Sequence, residues 1–459
     1  MVELVPGGSQ TLSKGRGRFP GAYPRSLVHG HGSLTWDSDG HEYVDWIAGL
    51  GAISLGHRNP SVDAAVMEQV GHGPIFSLPN VALEERVAQR LVDLIPCAES
   101  VRFVKDGSCA TEAAIRVARA ATGRDIVLVC GYHSWHSWYA ATREAHPGVP
   151  EWMLPLVQTF QHNDLASLDL AIDCKWAMGD GKAPGRAFGS MGGLPSWRRG
   201  DTGLNVRGIA AIILEPTLIE PPAPGFLEGV RERATRIGAV LIFDEMVTGF
   251  RWHAGGAQAL YGVTPDLACF GKGMGNGYPI AALVGRGDLM RHARLVSGTF
   301  GGDCIGLAAA DATLARYQEG GVCEHMWRLG RVLMDGYNAL AKTLGAPTRM
   351  EGQPPHPVIR WDEDGEPDYE RLPYGQIKTT LPNRWRASLF FQETVWRGHL
   401  MHPEGLNVML ATTEADVRSL LAACEAAMIE VLAAIGDGKV RERIEGDPIS
   451  PEPAWRVAR

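Results

Sequence analysis

The chain of 459 residues carries 44 Lys and Arg against 52 Asp and Glu, which gives a formal charge of -8 and a pI near 6.0. Hydrophobic residues make up 45% of it, as in ordinary soluble globular proteins, and the length suits two or three domains with a large core. The acidic balance argues against a general nucleic-acid-binding protein, which normally has a strongly basic domain.

The cysteines and the apolar runs favour a cytoplasmic location. No two cysteines form a C-x-x-C pair, a pattern that suits reduced thiols: Cys97, Cys109, Cys130, Cys174, Cys269, Cys304, Cys323 and Cys424. Residues 1–10 lack a basic segment followed by an apolar core, and no run approaches the roughly 18 apolar residues of a membrane span. We therefore expect a cytoplasmic protein without a membrane segment.

The first part of the chain predicts an arm and a hairpin. Residues 1–32 are rich in Gly, Pro, Arg and Ser and have no periodicity, so we interpret them as an N-terminal arm. Ser33–Asp37 and His41–Asp45 flank the turn Ser38-Asp39-Gly40, which predicts two strands of a β-hairpin.

A strand and a helix then predict an anion site. After a helix at Leu83–Leu94, Val101–Val104 is typical of a strand and Ala110–Ala121 of a helix. The turn between them contains Gly107 and Ser108, and free N–H groups and the helix dipole both point at such a turn. These two residues are candidates to hold a phosphate, although the same pattern also caps helices that bind nothing.

The next buried strand is predicted at Ile126–Val129, and Tyr132 and His133 follow it. Cys130, His133 and His136 stand at intervals of three, which raises the alternative of a metal site. We disfavour that alternative, because a zinc site usually needs a fourth ligand and nothing nearby supplies one.

Residues 174–206 form a long Gly-rich segment. Its basic residues are Lys175, Lys182, Arg186, Arg198 and Arg199. Long irregular segments in compact domains are usually functional or disordered. A solvated surface loop is the first interpretation, and a contact to a substrate or partner is the alternative.

Three further apolar runs each end in a candidate functional group. The runs are Gly208–Leu214 before Glu215, Ala239–Phe243 before Asp244, and Leu267–Phe270 before a glycine-rich turn around Lys272. Strands and helices alternate from about residue 100 to 285, which predicts parallel βαβ units with right-handed crossovers. Ligands of such sheets bind at the carboxyl ends of the strands.

Lys272 and Asp244 together predict pyridoxal phosphate (PLP) chemistry. An accessible lysine amine condenses with the cofactor aldehyde, and a carboxylate keeps the pyridine nitrogen protonated so that the ring accepts electrons. Taken singly, Asp244 is typical of a strand end that meets water and Lys272 of a loop. The glycines also suggest a nucleotide site, but they lack the Walker spacing and do not open a βαβ unit followed by an acidic ribose ligand.

The C-terminal part is less regular. A polar turn at Ser297–Gly302 is followed by a predicted helix over 311–345, and 346–385 is rich in Pro, Arg and Asp without a clear assignment. The stretches 389–400 and 406–410 and a helix over Thr413–Ile435 predict an α+β region.

Two segments resemble the aspartate and lysine motifs of class III aminotransferases. They are LIFDEMVTGFR at 241–251 and PDLACFGKGMGNGYPIAALVGRGDLM at 265–290, and they are most similar to the branch that includes glutamate-1-semialdehyde aminomutase. The resemblance covers roughly residues 5–435. It implies the α/β fold type I of PLP-dependent transferases, with a mostly parallel seven-stranded sheet in a large domain and a smaller α+β domain from both termini.

The resemblance also implies the domain boundaries. An N-terminal arm (1–32) precedes the N-terminal part of the small domain (33–60). The large PLP-binding domain follows (61–310), with 174–206 as an insertion, and the C-terminal part of the small domain completes the chain (311–459).

The resemblance assigns the catalytic roles to Lys272, which binds the cofactor aldehyde and then moves a proton, and to Asp244, which bonds the pyridine N–H. The other cofactor-binding residues that it implies are Gly107 and Ser108 at the phosphate, Tyr132 and Met246 on opposite ring faces, His133, Glu215 and Thr299. Thr299 corresponds to a residue that contacts the phosphate bound in the other subunit, which implies a homodimer with shared active sites.

The sequence departs from the aminomutase where its substrate is recognised. Thr11–Lys14 replaces S-P-V-R, Leu50 replaces a tryptophan, and the stretch after Glu215-Pro216 is shorter. The phosphate turn, usually S-G-T-E-A, reads D-G-S-C-A at 106–110.

These departures argue against the aminomutase reaction. Pro6-Gly7-Gly8 and Ser13-Lys14-Gly15 resemble the N-terminal segments of transaminases of this branch that serve specialised biosynthetic pathways. That resemblance implies a PLP-dependent aminotransferase acting on a small-molecule amino donor and a carbonyl acceptor. An intramolecular aminomutase is the main alternative, because the same lysine and electron sink serve both reactions. A racemase or decarboxylase is more distant for the same reason, and a non-catalytic PLP-fold binding protein is disfavoured because Lys272 and Asp244 are both present.

Overall fold

The computed structural model describes residues 4–143, 147–173, 207–361, 369–371, 377–379 and 381–450, with the backbone alone for 369–371, 377–379 and 381–383. The predicted insertion at 174–206 lies outside these residues. The chain divides into two compact units. The large unit is built on Ser61–Glu319, and the small unit on the described parts of Met1–Pro60, Gly320–Glu370 and Ile377–Arg459.

The strands, in chain order, are β1 (Leu27–His31), β2 (Leu34–Asp37), β3 (Glu42–Asp45), β4 (Ser100–Val104), β5 (Ile126–Cys130), β6 (Val157–Thr159), β7 (Ile209–Leu214), β8 (Val240–Asp244), β9 (Leu267–Phe270), β10 (Ala281–Gly285), β11 (Thr348–Gln353), β12 (His356–Trp361), β13 (Tyr369–Arg371), β14 (Ile377–Thr379) and β15 (His399–Leu400). The helices are α1 (Ala48–Gly51), α2 (Pro60–His72), α3 (Val81–Leu94), α4 (Gly107–Thr122), α5 (Ser137–Ala140), α6 (Leu165–Asp173), α7 (Phe226–Ile237), α8 (Ala257–Tyr261), α9 (Gly287–Met290), α10 (Cys304–Gln318), α11 (Val322–Leu344), α12 (Leu381–Val395) and α13 (Glu414–Gly436).

The large unit contains a seven-stranded sheet with the order β4-β10-β9-β8-β7-β5-β6. Strands β9, β8, β7, β5 and β6 run parallel, and β10 runs antiparallel to both of its neighbours. Strands β5, β8 and β9 are buried along their whole length, as expected for parallel strands covered on both faces. The predicted fold class, a mostly parallel sheet of fold type I, is confirmed.

The parallel strands bring their carboxyl ends to one edge of the sheet. In the register, Leu214 of β7 lies beside Phe243 of β8, and Asp244 lies beside Cys269 of β9. On the other side of β7, Leu214 lies beside Cys130 of β5. The residues that follow these four strands therefore meet at the edge where such sheets bind ligands.

Helix α4 begins at Gly107, three residues before the predicted start at Ala110. Asp106 is the N-cap, and its carboxylate accepts the Cys109 N–H at 2.8 Å. The helix ends at Gly123, which has a φ of +66°. The predicted phosphate turn is thus the first turn of the helix itself.

The helix predicted over 311–345 is in fact two helices, α10 and α11. They are separated at Gly320 and Gly321, which have φ values of +82° and +79° that a helix does not accommodate. Helix α10 packs on α3 within the large unit, where Asp311 pairs with Arg86 and Arg90. The large unit therefore extends past residue 310, where the sequence placed the domain boundary.

The small unit contains a sheet with the order β1-β2-β3-β15. The predicted hairpin is β2 and β3, but β1 lies within the segment interpreted as an arm without periodicity. The sequence of β1 contains His and Gly and shows no alternation of apolar and polar residues, so it does not predict a strand. The strand forms because β1 pairs with β2. A second hairpin, β11 and β12, occupies part of the region left unassigned, and 406–410 forms no strand.

Helix α13 begins with a capping box between Thr413 and Asp416. Among the described residues it is long and apolar enough to cross a membrane by length and composition, with a mean hydropathy of 1.8 over an 18-residue window. The helix nevertheless has no continuous run of about 18 apolar residues, because Glu425 and Glu430 interrupt it. It packs on α11 and α12 in the small unit, and such core helices pass the same test.

Candidate active site

Asp244 and His133 form a buried pair at the carboxyl edge of the sheet. Asp244 is 3% exposed, and its Oδ2 lies 2.8 Å from His133 Nδ1. The other ring nitrogen, Nε2, lies 3.0 Å from the Cys130 carbonyl oxygen, which can only accept. Nε2 therefore donates to that carbonyl oxygen, and Nδ1 faces the Asp244 carboxylate. The second carboxylate oxygen, Oδ1, accepts the Met246 N–H at 3.1 Å.

Lys272 begins the turn after β9 and has a left-handed backbone with a φ of +40°. Such a conformation costs on the order of 1–3 kcal/mol for a residue with a Cβ, and it is often found at functional sites. The side chain is exposed, yet the protein around it removes enough water to lower the pKa of the amine. Glu215 and Asp244 oppose that shift, and the buried guanidinium of Arg251 adds to it.

Glu215 follows β7 and turns towards the end of β5. Its Oε1 accepts the Tyr132 N–H at 2.6 Å. A Cβ on Gly131 would lie 2.7 Å from the same oxygen, so this contact requires glycine at 131, where φ is +104°. Burial raises the pKa of Glu215 to about 7.

Met246 fills the space between two glycines of the site. A Cβ on Gly107 or on Gly271 would lie 2.8 Å from its sulfur atom. The first turn of α4, the end of β9 and the residues after β8 can approach each other only because both positions lack a side chain.

The first turn of α4 leaves donors for an anion. The N–H groups of a first turn have no partner within their own helix. Among the described residues, the N–H groups of Cys109 and Ala110 donate to Asp106. The N–H groups of Gly107 and Ser108 stay available to a ligand. Asp106 itself is exposed at this end of the helix.

The Tyr132 ring is 47% exposed and is held from its sides. Tyr139 packs edge-on against it with centroids 5.4 Å apart, and the Arg143 guanidinium lies 5.4 Å above its centroid. The Tyr139 hydroxyl also donates to the Gly131 carbonyl oxygen at 2.9 Å. The sequence prediction missed Tyr139 and Arg143, because no motif or periodicity marks their contacts with Tyr132.

Glu245 faces away from this group, although it is the neighbour of Asp244. It is fully buried and accepts hydrogen bonds from the Thr248 hydroxyl and from the N–H groups of Ala257 at 2.7 Å and Gln258 at 3.1 Å. Successive residues of a strand point to opposite sides, which explains the difference. These hydrogen bonds stabilise the segment 245–258, so we assign Glu245 to the stability of the large unit and not to the site.

Thr299 stands apart from the other predicted residues. It is exposed in the segment 296–303, here called the Thr299 loop. Both ends of this loop are attached to β4, since Arg102 donates to the Val296 carbonyl oxygen at 2.8 Å and Lys105 pairs with Asp303. No hydrogen bond within the described part of the chain joins Thr299 to Lys272, Asp244 or Glu215.

These residues fit the cofactor that the motifs imply. They offer a lysine amine of lowered pKa, a buried carboxylate paired with His133, and backbone donors at a helix N-terminus. The glycines at 107, 131 and 271 leave room that a Cβ would fill. An aldehyde, a pyridine nitrogen and a phosphate are the groups that such partners bind.

Comparison with known proteins gives the same family. The sequence profile of the class-III aminotransferases matches residues 20–161 and 203–352. The 3-aminobutyryl-CoA aminotransferase of Cloacimonas acidaminovorans is 34% identical over 380 residues, 81% of this chain and 84% of that protein. Glutamate-1-semialdehyde 2,1-aminomutase of Roseiflexus castenholzii is 32% identical over 458 residues, 95% of this chain and 96% of that protein.

Solved structures agree on the fold. The FumI protein of Sphingopyxis sp. MTA144 in its PLP internal aldimine form has a TM-score of 0.80 at 25% identity, with 94% of this chain and 95% of that chain covered. An omega-transaminase from Sphaerobacter thermophilus has a TM-score of 0.77 at 22% identity, with the same coverage. The profile matches more than half of the sequence, and the chain therefore belongs to the class-III aminotransferases, with PLP as its cofactor.

Proposed function

We propose that this chain is an intermolecular aminotransferase of a specialised biosynthetic pathway. It takes an amino group from an amine or amino-acid donor and passes it to a separate small-molecule carbonyl acceptor. The observation that carries amino-group chemistry is the grouping of Lys272, Asp244 and Glu215 at the ends of the neighbouring parallel strands β9, β8 and β7. The choice of a separate acceptor is supported by the residues that differ from the aminomutase.

Each of these residues has a task. PLP, when bound, supplies an aldehyde that condenses with amines and a ring that accepts electrons. Lys272 moves a proton at the substrate carbon that carries the nitrogen, and the loss of water around it lowers the pKa of the amine, which favours the free base that accepts the proton. Asp244 holds the proton of the pyridine nitrogen, and the N–H groups of Gly107 and Ser108 bind the phosphate.

The second candidate is an intramolecular aminomutase, which the name of the Roseiflexus castenholzii relative favours. The replacement of S-P-V-R by Thr11–Lys14 and of a tryptophan by Leu50 supports the aminotransferase instead. Both replacements fall where the aminomutase recognises its substrate.

The two candidates differ in what leaves the enzyme. Incubating the PLP-loaded protein with single amino donors, without an acceptor, should convert the cofactor to pyridoxamine phosphate and release one carbonyl product per site. The conversion is followed by absorbance and the product by mass spectrometry. An isomer of one substrate, formed without release of a carbonyl product, would identify an aminomutase, and a full donor panel without conversion would refute amino transfer.

We also propose that the protein is a homodimer in which Thr299 reaches the cofactor of the other subunit. We propose the cytoplasm as its location. Thr299 is exposed in the single chain, and Phe300 beside it is 58% exposed. The Cys304 N–H, just past the Thr299 loop, donates to the Pro74 carbonyl oxygen at 2.9 Å, which brings the exposed apolar side chains of Ile75, Phe76 and Leu78 to the same region. Contiguous exposed apolar surface marks protein interfaces. The cysteines of the described part form no disulfide, which suits a reducing compartment.

Mixing a variant with weakened PLP retention and a variant without turnover tests the shared site. Thr299→Ala should weaken PLP retention, and Lys272→Ala should remove turnover. When the two proteins are unfolded and refolded together, each heterodimer has one site with both changes and one site with neither, so activity should return. No recovery, or a fully active monomer by light scattering, would contradict the shared site.

A further inference from the structure

The half-buried carboxylate of Glu215 has one hydrogen-bond partner among the described residues, whereas the fully buried carboxylate of Glu245 has several. Only Oε1 accepts a hydrogen bond from the described residues, from the Tyr132 N–H at 2.6 Å. Glu245, by contrast, uses both oxygens, with the Thr248 hydroxyl and two backbone N–H groups among its donors. A single donor compensates the charge of an ionised carboxylate less well than several donors do.

The groups around Glu215 carry opposing charges. Asp244 at the end of β8 raises its pKa, while His133 after β5 and Lys272 after β9 lower it. Burial raises the pKa of the Cys130 thiol and of the Tyr132 phenol, and the charge of Glu215 adds a smaller effect on both. Burial is the largest influence, and the result is a carboxyl group with a pKa of about 7.

The hydrogen bond to Tyr132 survives a change of protonation. A carboxylate and a carboxylic acid both have an oxygen that can accept the Tyr132 N–H. The turn at Gly131-Tyr132 is held on its other side by the Tyr139 hydroxyl. The geometry of the turn can therefore stay constant while the charge beside Lys272 changes.

We propose that Glu215 is a positioning residue with two tasks: it fixes the Gly131-Tyr132 turn, and it gains or loses the proton that balances the charges of Lys272 and Asp244. The proposal rests on the proposed function, since it assigns Tyr132 to the cofactor ring. The two tasks depend on two properties of the side chain, an acceptor oxygen and an ionisable proton. Glu215→Gln removes only the proton, and Glu215→Ala removes both.

Glu215→Gln keeps an acceptor oxygen but cannot ionise. The PLP-loaded wild type should show a protonation step near neutral pH in the absorbance of the bound cofactor, and Glu215→Gln should lack that step. In the apoprotein, infrared difference spectra between about pH 5 and about pH 9 should show a carboxyl deprotonation that the variant lacks. Asp169→Asn is the matched control, because Asp169 pairs with Arg233 and Arg236 on α7, outside the site. It should keep both steps.

Glu215→Ala removes the acceptor as well. It should raise the PLP dissociation constant about tenfold, as for the loss of one buried hydrogen bond, whereas Glu215→Gln should change it less than about threefold. Gly131→Ala should weaken PLP binding in the wild type, since its Cβ meets Oε1, and should cost less when Glu215 is already Ala.

The stability of the apoprotein supplies an independent check. The folded pKa of about 7 lies above the usual value of 4.5, so between these values the folded chain binds a proton that the unfolded chain does not. This group therefore favours folding at low pH, and its contribution is lost as pH rises through about 7. The melting temperature of the wild type should fall over that window more than that of Glu215→Gln.

A protonation step in Glu215→Gln equal to that of the wild type would overturn the ionisable task. PLP binding unchanged in Glu215→Ala would overturn the positioning task. The infrared, affinity and melting measurements do not require amino transfer, so they decide the role of Glu215 even if no amino donor is found.

Discussion

Lys272→Ala should abolish turnover and the borohydride-reducible adduct with PLP. The amine provides both the covalent link to the aldehyde and the base that moves a proton, so its loss removes two contributions at once. Proton transfer alone contributes about 10²- to 10⁴-fold, and the expected fall in kcat is therefore at least about 10⁴-fold. Reduction with borohydride, digestion and mass spectrometry locate the adduct, and steady-state assays with an accepted donor measure the rate.

Two variants sharpen this test. Lys272→Arg keeps a positive charge but cannot condense with an aldehyde, so it should be as inactive as Lys272→Ala. Lys342→Ala removes an exposed lysine of α11 in the small unit and should keep both the adduct and the rate. An adduct on any lysine other than Lys272 in the wild type would refute the assignment. Far-UV circular dichroism of the apoproteins checks that each variant folds.

The family, the fold class and the cofactor could be predicted from the sequence because their signals are local. Buried parallel strands appear as continuous apolar runs, and the groups of interest follow them directly, as Asp244 ends β8 and Lys272 follows β9. The order of the strands could not be predicted from these local signals, because β10 lies between β4 and β9 and runs antiparallel to both. The roles of the individual site residues stay predictions.

The contacts that organise the site join residues far apart in the chain. His133 and Asp244 are separated by 111 residues, and Tyr132 and Glu215 by 83. No periodicity encodes such pairs. Gly131 is a local mark of such a contact: its positive φ and the closeness of its Cβ position to Oε1 require glycine where the Glu215 side chain approaches the backbone. The start of α4 at Gly107 was missed because glycine is a poor helix former, and the Asp106 cap compensates.

Asp244→Asn should leave PLP bound but lower kcat by about 10²- to 10³-fold, the range for losing one preorganised electrostatic partner. The amide has nearly the shape of the carboxylate, and the other predicted cofactor contacts remain. It carries no negative charge to hold the proton of the pyridine nitrogen, and its oxygen is a weaker partner for His133. Equilibrium dialysis measures PLP binding, and pre-steady-state absorbance with an accepted donor measures the chemical step.

Glu245→Gln separates this effect from the loss of a buried carboxylate in general. Glu245 is as buried as Asp244 but accepts hydrogen bonds from Thr248, Ala257 and Gln258, so an amide there would set an N–H group against backbone N–H groups. That change should lower stability by about 1–3 kcal/mol and leave the rate of the folded protein near the wild-type value. Asp244→Asn should show the opposite pattern, a lost rate with a nearly unchanged melting temperature. Near-normal rates in Asp244→Asn would mean that Asp244 only ends a strand, because a carboxylate that holds the ring proton cannot be replaced by a neutral group without loss.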